Sequence, residues 1–448
     1  MINAQNKCIA VDISLSTVEV FEQFALHKYA ILLDSSDAVH ENSHYDIISF
    51  NPLHILEAKS GQAFLDGVQQ KLNVFELLKQ KLSLLCPERI AGMPFVGGWL
   101  GYFGYDLGRY IEKLPESALT DISLPDMTVG LYLDALIFDN QIKKWFYVCQ
   151  SNTNRLDEYL AVVNNAISRA KPFKLLSDWQ SNMTKQQYQT KFDKIHQYLL
   201  SGDCYQINLA QRFSAQFTGS PWQAYKKLRT NNKSPFAAFY NLGEDTAIVS
   251  VSPERFISVK ENQVETKPIK GTLPRLSDPT QDIEQAKTLQ GSSKDRAENV
   301  MIVDLLRNDL GKVAKAGTVT VPKLFEIESF PAVHHLVSTV TSELASGKSA
   351  IDQLEAAFPG GSITGAPKIR AMEIIEELEP HRRSAYCGSM GYLSACGDMD
   401  TSITIRTLVC AENTIYCWAG GGIVADSQVD AEYQETYHKV NKILPVLK

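Results

Sequence analysis

The sequence predicts an α+β fold built on antiparallel sheets, and two patterns support this prediction. Stretches typical of strands outnumber the regular alternation of strand and helix that a doubly wound parallel fold requires. In addition, residues 255–259 and 263–267 alternate polar and apolar side chains, and Lys260, Glu261 and Asn262 form a turn-like link between them. Such alternation on both sides of a short polar link predicts a β-hairpin, in which the strands are antiparallel.

The composition is that of a folded globular protein and excludes several classes of partner. The chain has 448 residues, of which 44% are hydrophobic and 21% charged. Such a length allows about two to three average domains or one large intertwined domain. The net charge of −7 is mild and no basic run is present, so we expect no nucleic-acid partner and no binding to membranes. An anionic substrate must therefore be bound by local contacts.

The cysteines and the first residues predict a cytoplasmic protein. The eight cysteines are scattered without a C-x-x-C pair, and Met1 to Ala10 lacks the charged and then apolar pattern of a signal peptide. Reduced thiols in the cytoplasm fit this pattern best. No stretch approaches the run of about eighteen apolar residues that a membrane span needs, so we expect a soluble protein.

The first part of the chain is expected to mix strands and helices. A buried strand is predicted at 29–33, and an amphipathic helix begins at Val74. Four glycines among aromatic residues at 95–105 indicate either tight sheet packing or a ligand pocket. The remaining elements expected here are strands at 132–137 and 145–150 and a helix at 156–170.

A polar connector at 177–184 predicts the boundary between an N-terminal region, 1–176, and a second region, 177–448. The second region begins with a helix at 185–201, followed by a turn that leads into a strand within 202–210. Its other strands are expected at 236–240, 247–252, 386–393, 400–410 and 414–419, and its other helices at 294–308, 349–357, 367–378 and 430–447.

A lysine and a carboxylate at the two ends of the predicted hairpin are the first candidates for catalysis. Glu254 precedes the hairpin and Lys270 follows it, in the stretch PIKGT, so we expect the two side chains to lie close together. Burial among apolar, glycine and threonine neighbours lowers the pKa of an ammonium group and exposes its lone pair. The pair therefore predicts a nucleophile beside an acid, although a lone lysine at a strand end more often points to water.

Two acidic helices predict a metal site. Asp295 and Glu298 share one helix face, and Glu432 and Glu435 have the same spacing on another helix. Carboxylates from two helices that face one site suit Mg²⁺, which binds a few carboxylates and keeps water or substrate oxygens in its other positions. Each helix taken alone is more often a solvated face.

The glycine-rich stretch 360–368, GGSITGAPK, leads into a predicted helix whose free N–H groups favour anions. It differs from the ATP-binding phosphate loop because Ala366 and Pro367 stand where that loop needs a lysine and a hydroxyl. We therefore exclude ATP as a ligand.

A second glycine-rich stretch, Gly420 to Gly422, follows a predicted strand. Its N–H groups could turn toward a carboxylate, although such a stretch is as often only a turn. Arg406 is predicted on one face of a strand, where its guanidinium could bind a carboxylate through two hydrogen bonds.

These motifs, in this order, resemble those of the chorismate-utilising enzymes, which form anthranilate, isochorismate, salicylate or aminodeoxychorismate. The resemblance is nearly continuous from Gly202 to Lys439, through SPERF, PIKGT, DRAENVMIVDLLRNDLG, HHLVS, FPGGSITGAPKIRAMEII, CGSMGY, GGGIVADS and EYQETYHK. In the N-terminal region it is looser and rests on 97–102. It implies a layered α/β/β/α sandwich of two large, mainly antiparallel sheets, with chorismate bound between the sheets.

The resemblance also implies a metal site at matching positions. Glu298 and Glu435 correspond to ligands of Mg²⁺, and Glu432 beside them would act through water. The metal would hold the ring carboxylate of chorismate, with help from the backbone at Gly421 and Gly422.

Further positions correspond to residues that contact the substrate. Glu254 matches the acid that protonates the departing C4 hydroxyl, and Arg406 and Tyr392 match residues that hold the pyruvyl-ether carboxylate. His335 and Thr364 would line the ring. The other expected substrate contacts are Gln206, Thr272 and Lys439.

Two positions sort this family by reaction. Members that add water at C2 carry a lysine base where this chain has Gln206, and an amide cannot deprotonate water, so isochorismate and salicylate synthesis are disfavoured. Anthranilate-forming members typically carry alanine where this chain has Lys270. A lysine there is typical of members that form 4-amino-4-deoxychorismate, a precursor of 4-aminobenzoate and folate, and resembles a covalent nucleophile that adds to C2.

The nitrogen source is expected to require a partner. The chain contains no G-x-C-x-G stretch, which would carry the nucleophile of a glutaminase. The resemblance therefore implies that ammonia comes from a separate glutamine amidotransferase subunit.

Two alternatives stay open. The anthranilate-forming component shares nearly every motif, and Lys270 alone argues against it. The alternative from another class is a regulatory tryptophan-binding protein, since Leu33-Asp34-Ser35-Ser36 resembles the Leu-Glu-Ser stretch with which anthranilate synthases bind tryptophan. Asp34 replaces the glutamate there, and a strand followed by an ordinary Asp/Ser turn has the same pattern.

Overall fold

A computed structural model describes residues 7–38, 40–150, 154–165, 170–330 and 333–448, and it confirms the predicted α+β class. Within these ranges the chain forms 25 strands, ten α-helices and three short 3-10 helices.

The elements of the first part of the chain are β1 (Lys7–Val11), α1 (Thr17–Phe24), β2 (Ile31–Asp34), β3 (Tyr45–Ser49), β4 (His54–Lys59), β5 (Gln62–Leu65), β6 (Val68–Gln69), α2 (Val74–Leu82), β7 (Gly98–Phe103), a 3-10 helix (Tyr105–Tyr110), β8 (Met127–Tyr132), β9 (Asp134–Asp139), β10 (Lys144–Cys149), α3 (Leu156–Asn164) and β11 (Lys174–Leu175).

The elements that follow are β12 (Gln180–Ser181), α4 (Lys185–Leu200), β13 (Gln206–Thr218), α5 (Pro221–Asn231), β14 (Phe236–Gly243), β15 (Thr246–Ser252), β16 (Arg255–Lys260), β17 (Gln263–Thr266), β18 (Ile269–Pro274), α6 (Pro279–Gly291), α7 (Ser293–Gly311), β19 (Thr320–Ser329) and β20 (Val333–Glu343).

The chain ends with α8 (Ala350–Ala357), a 3-10 helix (Gly361–Ile363), β21 (Gly365–Ala366), α9 (Lys368–Leu378), β22 (Ser389–Ser394), β23 (Met399–Ile403), β24 (Thr407–Ala411), β25 (Thr414–Ile423), α10 (Val429–Val440) and a 3-10 helix (Pro445–Leu447).

Two large antiparallel sheets form the centre of the molecule. The first has 13 strands in the order β1-β10-β9-β3-β2-β14-β15-β24-β25-β13-β11, with β12 and β21 also paired to β13. The second has 12 strands in the order β18-β20-β17-β16-β23-β22-β7-β8-β4-β5-β6, with β19 paired to β20. Helices α4, α5, α9 and α10 pack on the first sheet, and α2, α6 and α7 pack on the second. The layered α/β/β/α arrangement of the resemblance is therefore confirmed.

The main hydrophobic core lies between the two sheets. It contains fully buried residues of both, such as Tyr240 and Ile248 from the first sheet and Trp99 and Ile257 from the second. A second core, around Trp222, covers the outer face of the first sheet beneath α1, α3 and α5. A polar group that is buried in this core loses its water.

Strands of the predicted N-terminal region, 1–176, take part in both sheets. In the first sheet β2 pairs with β14, and in the second β7 pairs with β22. The two predicted regions are thus intertwined along these ladders, and the boundary at 176/177 itself stays a prediction.

The predicted hairpin is confirmed. Strands β16 and β17 pair antiparallel with Lys260 opposite Gln263, and Glu261 and Asn262 form the turn at φ of 52° and 64°. Asparagine tolerates this left-handed conformation better than most residues, which explains why this short polar link can close the hairpin.

The prediction of one strand at 400–410 is wrong, because this stretch forms two strands, β23 and β24. Strand β23 belongs to the second sheet and β24 to the first, so the chain crosses between sheets in the intervening residues. Arg406 makes this crossing with φ of 50°. It therefore lies between the sheets and not on a strand face.

Other predicted boundaries also differ from the structure. The strand predicted at 132–137 is divided at Leu133, where β8 ends and β9 begins. The helix predicted at 156–170 ends at Asn164, and residues 166–169 lie outside the described part. The helix predicted at 430–447 ends at Val440, where Asn441 is the C-cap, and a separate 3-10 helix begins at Pro445. The strand predicted at 386–393 begins at Ser389, after a turn in which the Tyr386 N–H bonds to the Arg383 carbonyl.

The glycines at 95–105 serve tight sheet packing. A Cβ atom on Gly98 would lie 2.1 Å from the Leu393 carbonyl oxygen, and one on Gly101 would lie 2.3 Å from that of Thr128. These distances are shorter than any van der Waals contact, so β7 approaches β22 and β8 only where it has no side chain. Of the two alternatives for this stretch, packing is the one observed.

None of the described helices is both long and apolar enough to cross a bilayer. All eight cysteines lie within the described ranges, and no disulfide joins them.

Candidate active site

The structure brings Glu254 and Lys270 together, although their strands are not neighbours. Glu254 directly precedes β16, Lys270 is in β18, and β17 and β20 lie between these strands in the sheet. The carboxyl of Glu254 nevertheless accepts a hydrogen bond from the backbone N–H of Ile269 and feels the charge of Lys270 beside it. The predicted proximity thus arises from a close return of the chain and not from one hairpin.

Burial shifts the protonation of Glu254. The side chain is almost fully enclosed, and burial raises its pKa to about 7, although Lys270, the Ile269 N–H and Arg406 favour the charged form. Desolvation wins because a carboxylate between the sheets has lost the water that would stabilise its charge. Near neutral pH, about half of the Glu254 side chains therefore keep a proton that they can donate.

Burial shifts Lys270 in the opposite direction. Loss of water lowers the pKa of the ammonium, and the negative charges of Glu298 and Glu254 oppose this effect without cancelling it. The Lys270 Nζ has one long hydrogen bond, 3.5 Å to the carbonyl oxygen of Ser362. The amine is thus held near an acid in an environment that favours the neutral form, as a nucleophile requires.

Three carboxylates from two helices face this pair. Glu298 on α7 and Glu435 on α10 both act electrostatically on Lys270. Glu435 also accepts a hydrogen bond from Lys439 at 2.7 Å, while the Oε1 of Glu432 accepts one from Ser427 at 2.7 Å. Burial raises the pKa of Glu298 and Glu432. At Glu435 burial also acts to raise the pKa, but Lys439, Lys270 and Lys294 together outweigh it and lower the pKa.

Gly421 gives these carboxylates room. A Cβ atom at this position would lie 3.1 Å from an oxygen of Glu435 and 3.2 Å from one of Glu432, so both carboxylates meet at the surface of β25. The stretch 420–422 belongs to β25 itself and pairs with β13, which corrects the prediction of a turn after a strand. Its glycines provide space, and the ladder orients their N–H groups.

The donor set of this site fits Mg²⁺. Hard carboxylate oxygens of Glu298, Glu432 and Glu435 approach it from two helices, and an opening is left for water or substrate oxygens. Lysines 270 and 439 now balance part of the negative charge. Within the described residues, the only three donor atoms within 4.8 Å of one another belong to His40, Glu41 and Glu328. Glu298, Glu432 and Glu435 do not form such a group of three, so at least one of these carboxylates could act on an ion only through water.

Gln206 presents an unused amide to the site. Its side chain is buried, and neither amide atom has a partner among the described residues. It fills the space beside Gly422, where a Cβ atom would lie 2.6 Å from its Nε2. A buried amide without partners is costly, so this group is suited to bind a ligand.

Thr272 and His335 form a second polar edge. They face each other in the β18–β20 ladder, and the Thr272 Oγ1 and His335 Nδ1 are 2.7 Å apart. Burial, together with the charge of Arg406, lowers the pKa of His335 to about 4. The ring is therefore neutral at physiological pH and can act as a hydrogen-bonding group rather than a charge.

Arg406 and Thr364 also lie at this site. Burial lowers the pKa of Arg406, while the nearby Glu254 raises it. Thr364 is fully buried, and its hydroxyl donates to the carbonyl of Gly360 at 3.0 Å. The Thr364 hydroxyl thus uses its hydrogen within its own loop. Toward a ligand it can offer only its oxygen as an acceptor, together with its methyl group.

Tyr392 lies elsewhere. Together with Arg255 and Asp400 it lines a separate cavity of about 750 Å³, and its ring packs edge-on against Phe95 at 5.8 Å. The position predicted to hold a substrate carboxylate beside Arg406 therefore faces a different space in this structure.

The same cavity is lined by Asp34 but not by Ser35. The Asp34 carboxylate accepts hydrogen bonds from Arg229, at 2.5 Å, and from Tyr225, at 2.6 Å. Ser35 is buried and donates to Asp46 at 2.6 Å. Both side chains already have structural partners, and tryptophan binding there stays a prediction.

Sequence reasoning missed two residues of the carboxylate cluster. The charge of Lys294 acts on Glu298, Glu432 and Glu435, and Ser427 holds Glu432. Lys294 stands one position before Asp295 in the acidic helix, but no spacing rule indicates that its charge acts on carboxylates of α10. Only the fold shows this electrostatic interaction.

Comparison with known proteins agrees with this geometry. Residues 28–445 match the family described as chorismate binding enzyme. The chain belongs to the chorismate-binding enzymes.

Among these chorismate-binding enzymes, aminodeoxychorismate synthase component 1 of Escherichia coli (strain K12) is 52% identical over 96% of this chain and 95% of its own length. Anthranilate synthase component 1 of Aquifex aeolicus is 34% identical over 94% of this chain and 90% of its own. In structure, anthranilate synthase component I from Streptococcus pneumoniae TIGR4 superimposes with a TM-score of 0.80 at 32% identity, covering 90% of this chain and 92% of that one. The chain is thus an enzyme of this family with the family's fold.

The protonation of Glu254 predicts the pH dependence of this enzyme. If Glu254 is the proton donor, it can act only in its protonated form, so kcat/KM should fall as the pH rises through about 7. Replacement Glu254→Gln should lower the rate by about 10²- to 10⁴-fold and remove the alkaline limb of the profile.

A pH–rate profile of chorismate consumption checks this expectation. Glu244→Gln, an exposed carboxylate in the turn after β14, is the matched control and should leave the profile unchanged. An alkaline limb that persists in Glu254→Gln would show that another group supplies the proton.

Proposed function

We propose that this chain converts chorismate and ammonia to 4-amino-4-deoxychorismate, in 4-aminobenzoate and folate biosynthesis. The observation that carries the proposal is the enclosed Lys270 amine beside the protonatable Glu254, in a fold shared with chorismate-binding enzymes. The identity of 52% to an aminodeoxychorismate synthase component, against 34% to an anthranilate synthase component, supports this choice of reaction.

The reaction begins with Lys270. Its neutral amine forms a bond to C2 of chorismate, both ring double bonds shift by one position, and the C4 hydroxyl leaves as water with a proton from Glu254. The new C2 nitrogen then returns a proton to Glu254. The pKa shifts of the two groups suit these roles, since each is driven toward its neutral form by the same burial.

Ammonia completes the reaction. It forms a bond to C4, the double bonds shift back, and the C2–N bond to Lys270 breaks. The incoming nitrogen gives up one proton and the departing lysine nitrogen takes one, so the balance is chorismate plus ammonia to 4-amino-4-deoxychorismate plus water. Gln206 cannot act as a base toward water, which keeps the competing hydration at C2 slow.

The remaining side chains orient the substrate. Arg406, at the crossing between the sheets, is the group proposed for the pyruvyl-ether carboxylate, and neutral His335 and Thr272 would line the ring. Thr364 and Lys439 would close the pocket with Gly421 and Gly422. Tyr392 has no assigned contact in this mechanism because it lines the other cavity.

We propose Mg²⁺ as the cofactor, held by Glu298 and Glu435 with Glu432 acting through water. When bound, it would neutralise the ring carboxylate of chorismate and stabilise the charge that develops next to C2. The convergence of carboxylates from α7 and α10 beside Gly421 supports this assignment.

Ammonia is proposed to come from a glutamine amidotransferase partner in the cytoplasm. The name component 1 of the relatives implies a second component. A glutaminase of this kind needs a reactive thiolate, whereas burial raises the pKa of Cys204 and Cys387 to about 11 and of Cys417 to about 12. These thiols stay protonated and inert near neutral pH.

The first prediction from this proposed mechanism tests Lys270 as a nucleophile. With chorismate and Mg²⁺ but no ammonia, the peptide that contains Lys270 should carry a ring adduct, because the first displacement can occur and the second lacks its amine. Lys270→Ala should lose this adduct and about 99% or more of 4-amino-4-deoxychorismate formation. Residual attack of ammonia at C2 would shift the products toward anthranilate.

Mass spectrometry of peptides and products gives the answer, with Lys323→Ala on exposed β19 as the control. Formation of 4-amino-4-deoxychorismate by Lys270→Ala at the parent rate would exclude covalent catalysis. Anthranilate as the main product of the parent chain would instead favour the alternative activity.

The second prediction concerns the metal. Glu298→Ala and Glu435→Ala should each lower turnover in Mg²⁺ by about a hundredfold or more. The fold should survive, because removal of one carboxylate relieves repulsion among like charges. Calorimetric titration with Mg²⁺ should show weakened binding in both variants.

Exposed carboxylates on the same two helices provide controls: Asp304→Ala on α7 and Asp430→Ala on α10 should bind Mg²⁺ as the parent does. Normal turnover and normal Mg²⁺ affinity in Glu298→Ala or Glu435→Ala would remove that residue from the metal site.

The third prediction concerns nitrogen. The purified chain should use ammonium and ignore glutamine, since it contains no G-x-C-x-G stretch of a glutaminase. Product formation is followed with each nitrogen source in turn. Turnover with glutamine by a preparation free of amidotransferase would contradict the need for a partner.

A further inference from the structure

A loop of the N-terminal region reaches the strands of the candidate active site. Lys267, just before β18, donates hydrogen bonds to the carboxylates of Glu41 and Glu328, the latter at 3.0 Å. The Nε2 of His40 lies 3.9 Å from the other oxygen of Glu328. One ion-pair cluster thus joins residues 40 and 41 to β19 and to the segment that leads into β18.

Aromatic contacts continue from this cluster to His335. The ring of His40 stacks on Phe330 with a centroid distance of 4.7 Å and an interplanar angle of 13°. Phe330 in turn packs edge-on against His335 at 5.1 Å. Glu328 also stands opposite His335 in the β19–β20 ladder. The position of the His335 ring therefore depends on contacts that begin at His40.

Lys270 needs such support because its own strand is weakly held. Strand β18 is the edge of the second sheet, and its register with β20 shifts between Ile269 and Thr272. Gly271 lies in this gap with φ of 77°. Regular ladder pairing therefore does not include Lys270 itself. The contacts that flank it are the Ile269–Val337 pair and Lys267 on one side and the Thr272–His335 contact on the other.

The two ion pairs of Lys267 differ in strength. Glu41 is exposed, so its pair with Lys267 is screened by water and contributes little. The contacts among Lys267, Glu328 and His40 are mostly enclosed, with side chains 12%, 25% and 13% exposed. His40 and Lys267 lower the pKa of Glu328 to about 2, so this carboxylate stays charged throughout the physiological range.

We propose that His40, Lys267, Glu328 and Phe330, here called the brace, position Lys270 and His335 for the reaction. These are positioning residues, since none of them belongs to the substrate contacts assigned above. The proposal rests on the proposed function in taking Lys270 as the nucleophile. A metal ion does not explain the cluster, because the Lys267 ammonium already lies among the carboxylates of Glu41 and Glu328.

The experiment compares four variants in chorismate consumption with saturating Mg²⁺ and ammonium. Lys267→Met and Glu328→Gln should lower kcat about tenfold or more, with KM for chorismate within about twofold, because a small misplacement of a reacting group costs rate. Lys267→Arg keeps the charge and should recover at least half of the parent kcat. Glu326→Gln, an exposed carboxylate in the same strand, is the matched control and should be unchanged.

A second readout does not depend on activity. In protein labelled with ¹⁵N-histidine, the His335 resonances, assigned with His335→Gln, should shift in Lys267→Met and Glu328→Gln and return in Lys267→Arg. The proposal is overturned if kcat and these resonances stay at parent values in both variants, or if Glu326→Gln loses as much kcat as Glu328→Gln.

These readouts separate the brace from the proposed function. If the parent chain consumed chorismate but made another product, the proposed function would fail, whereas kcat for that product and the His335 resonances would still report on the brace. If the parent made 4-amino-4-deoxychorismate and the brace variants kept full kcat, only the brace would fail.

Discussion

The enclosure of an amine and a carboxyl side by side is the constraint on which this site depends. In water, Lys270 and Glu254 would form an ion pair, and neither could begin the proposed reaction. Between two sheets, the loss of water raises the pKa of Glu254 and lowers that of Lys270, so each approaches its neutral form. Both shifts favour the forms that the proposed reaction requires, a neutral amine and a protonated carboxyl, whereas in solution the two groups would be charged at neutral pH.

This constraint explains features of the fold that otherwise look unrelated. The two sheets bury a core with strands contributed by both halves of the chain, which keeps water out of the space between them. The chain crosses from one sheet to the other at Arg406, and this crossing places a cation at the site. On the opposite side, Gly421 leaves the surface of β25 bare, so the carboxylates of α10 can approach. Positions such as Arg406 and Gly421 therefore serve both the fold and the candidate active site.

Local patterns in the sequence predicted what depends on neighbours along the chain. The β16–β17 hairpin, the helices at α4 and α7 and the pairing of Glu432 with Glu435 on one helix all follow from periodicity and turn residues. The layered sandwich and the remaining site residues, such as His335 and Thr364, required resemblance to a family. Neither source could indicate the crossing at Arg406, because it is set by the sheet to which each flanking strand belongs.

Long-range contacts explain the other differences. Tyr392 matched a motif, but its strand places it at another cavity, and Lys294 meets carboxylates of a helix that lies far away in sequence. The brace is a stronger case, since His40 belongs to the N-terminal region and Glu328 to the second region, and the two residues share no motif. Contacts of this kind depend on strand order, which one sequence does not determine.

The charge balance of the site supplies a physical reason for the proposed metal. Lys270 and Glu254 add no net charge, whether both are neutral or both are charged. The cations of Lys294, Arg406 and Lys439 stand against the carboxylates of Glu298, Glu432 and Glu435, and Asp295 adds a further negative charge beside Glu298. The sum, three positive and four negative charges, is −1. Chorismate brings two further carboxylates to the site, where uncompensated charge is costly beside the buried groups and is screened by water near the exposed Glu435 and Lys439. A divalent cation would return the total from −3 to −1, which supports the proposed role of Mg²⁺ in binding the dianionic substrate.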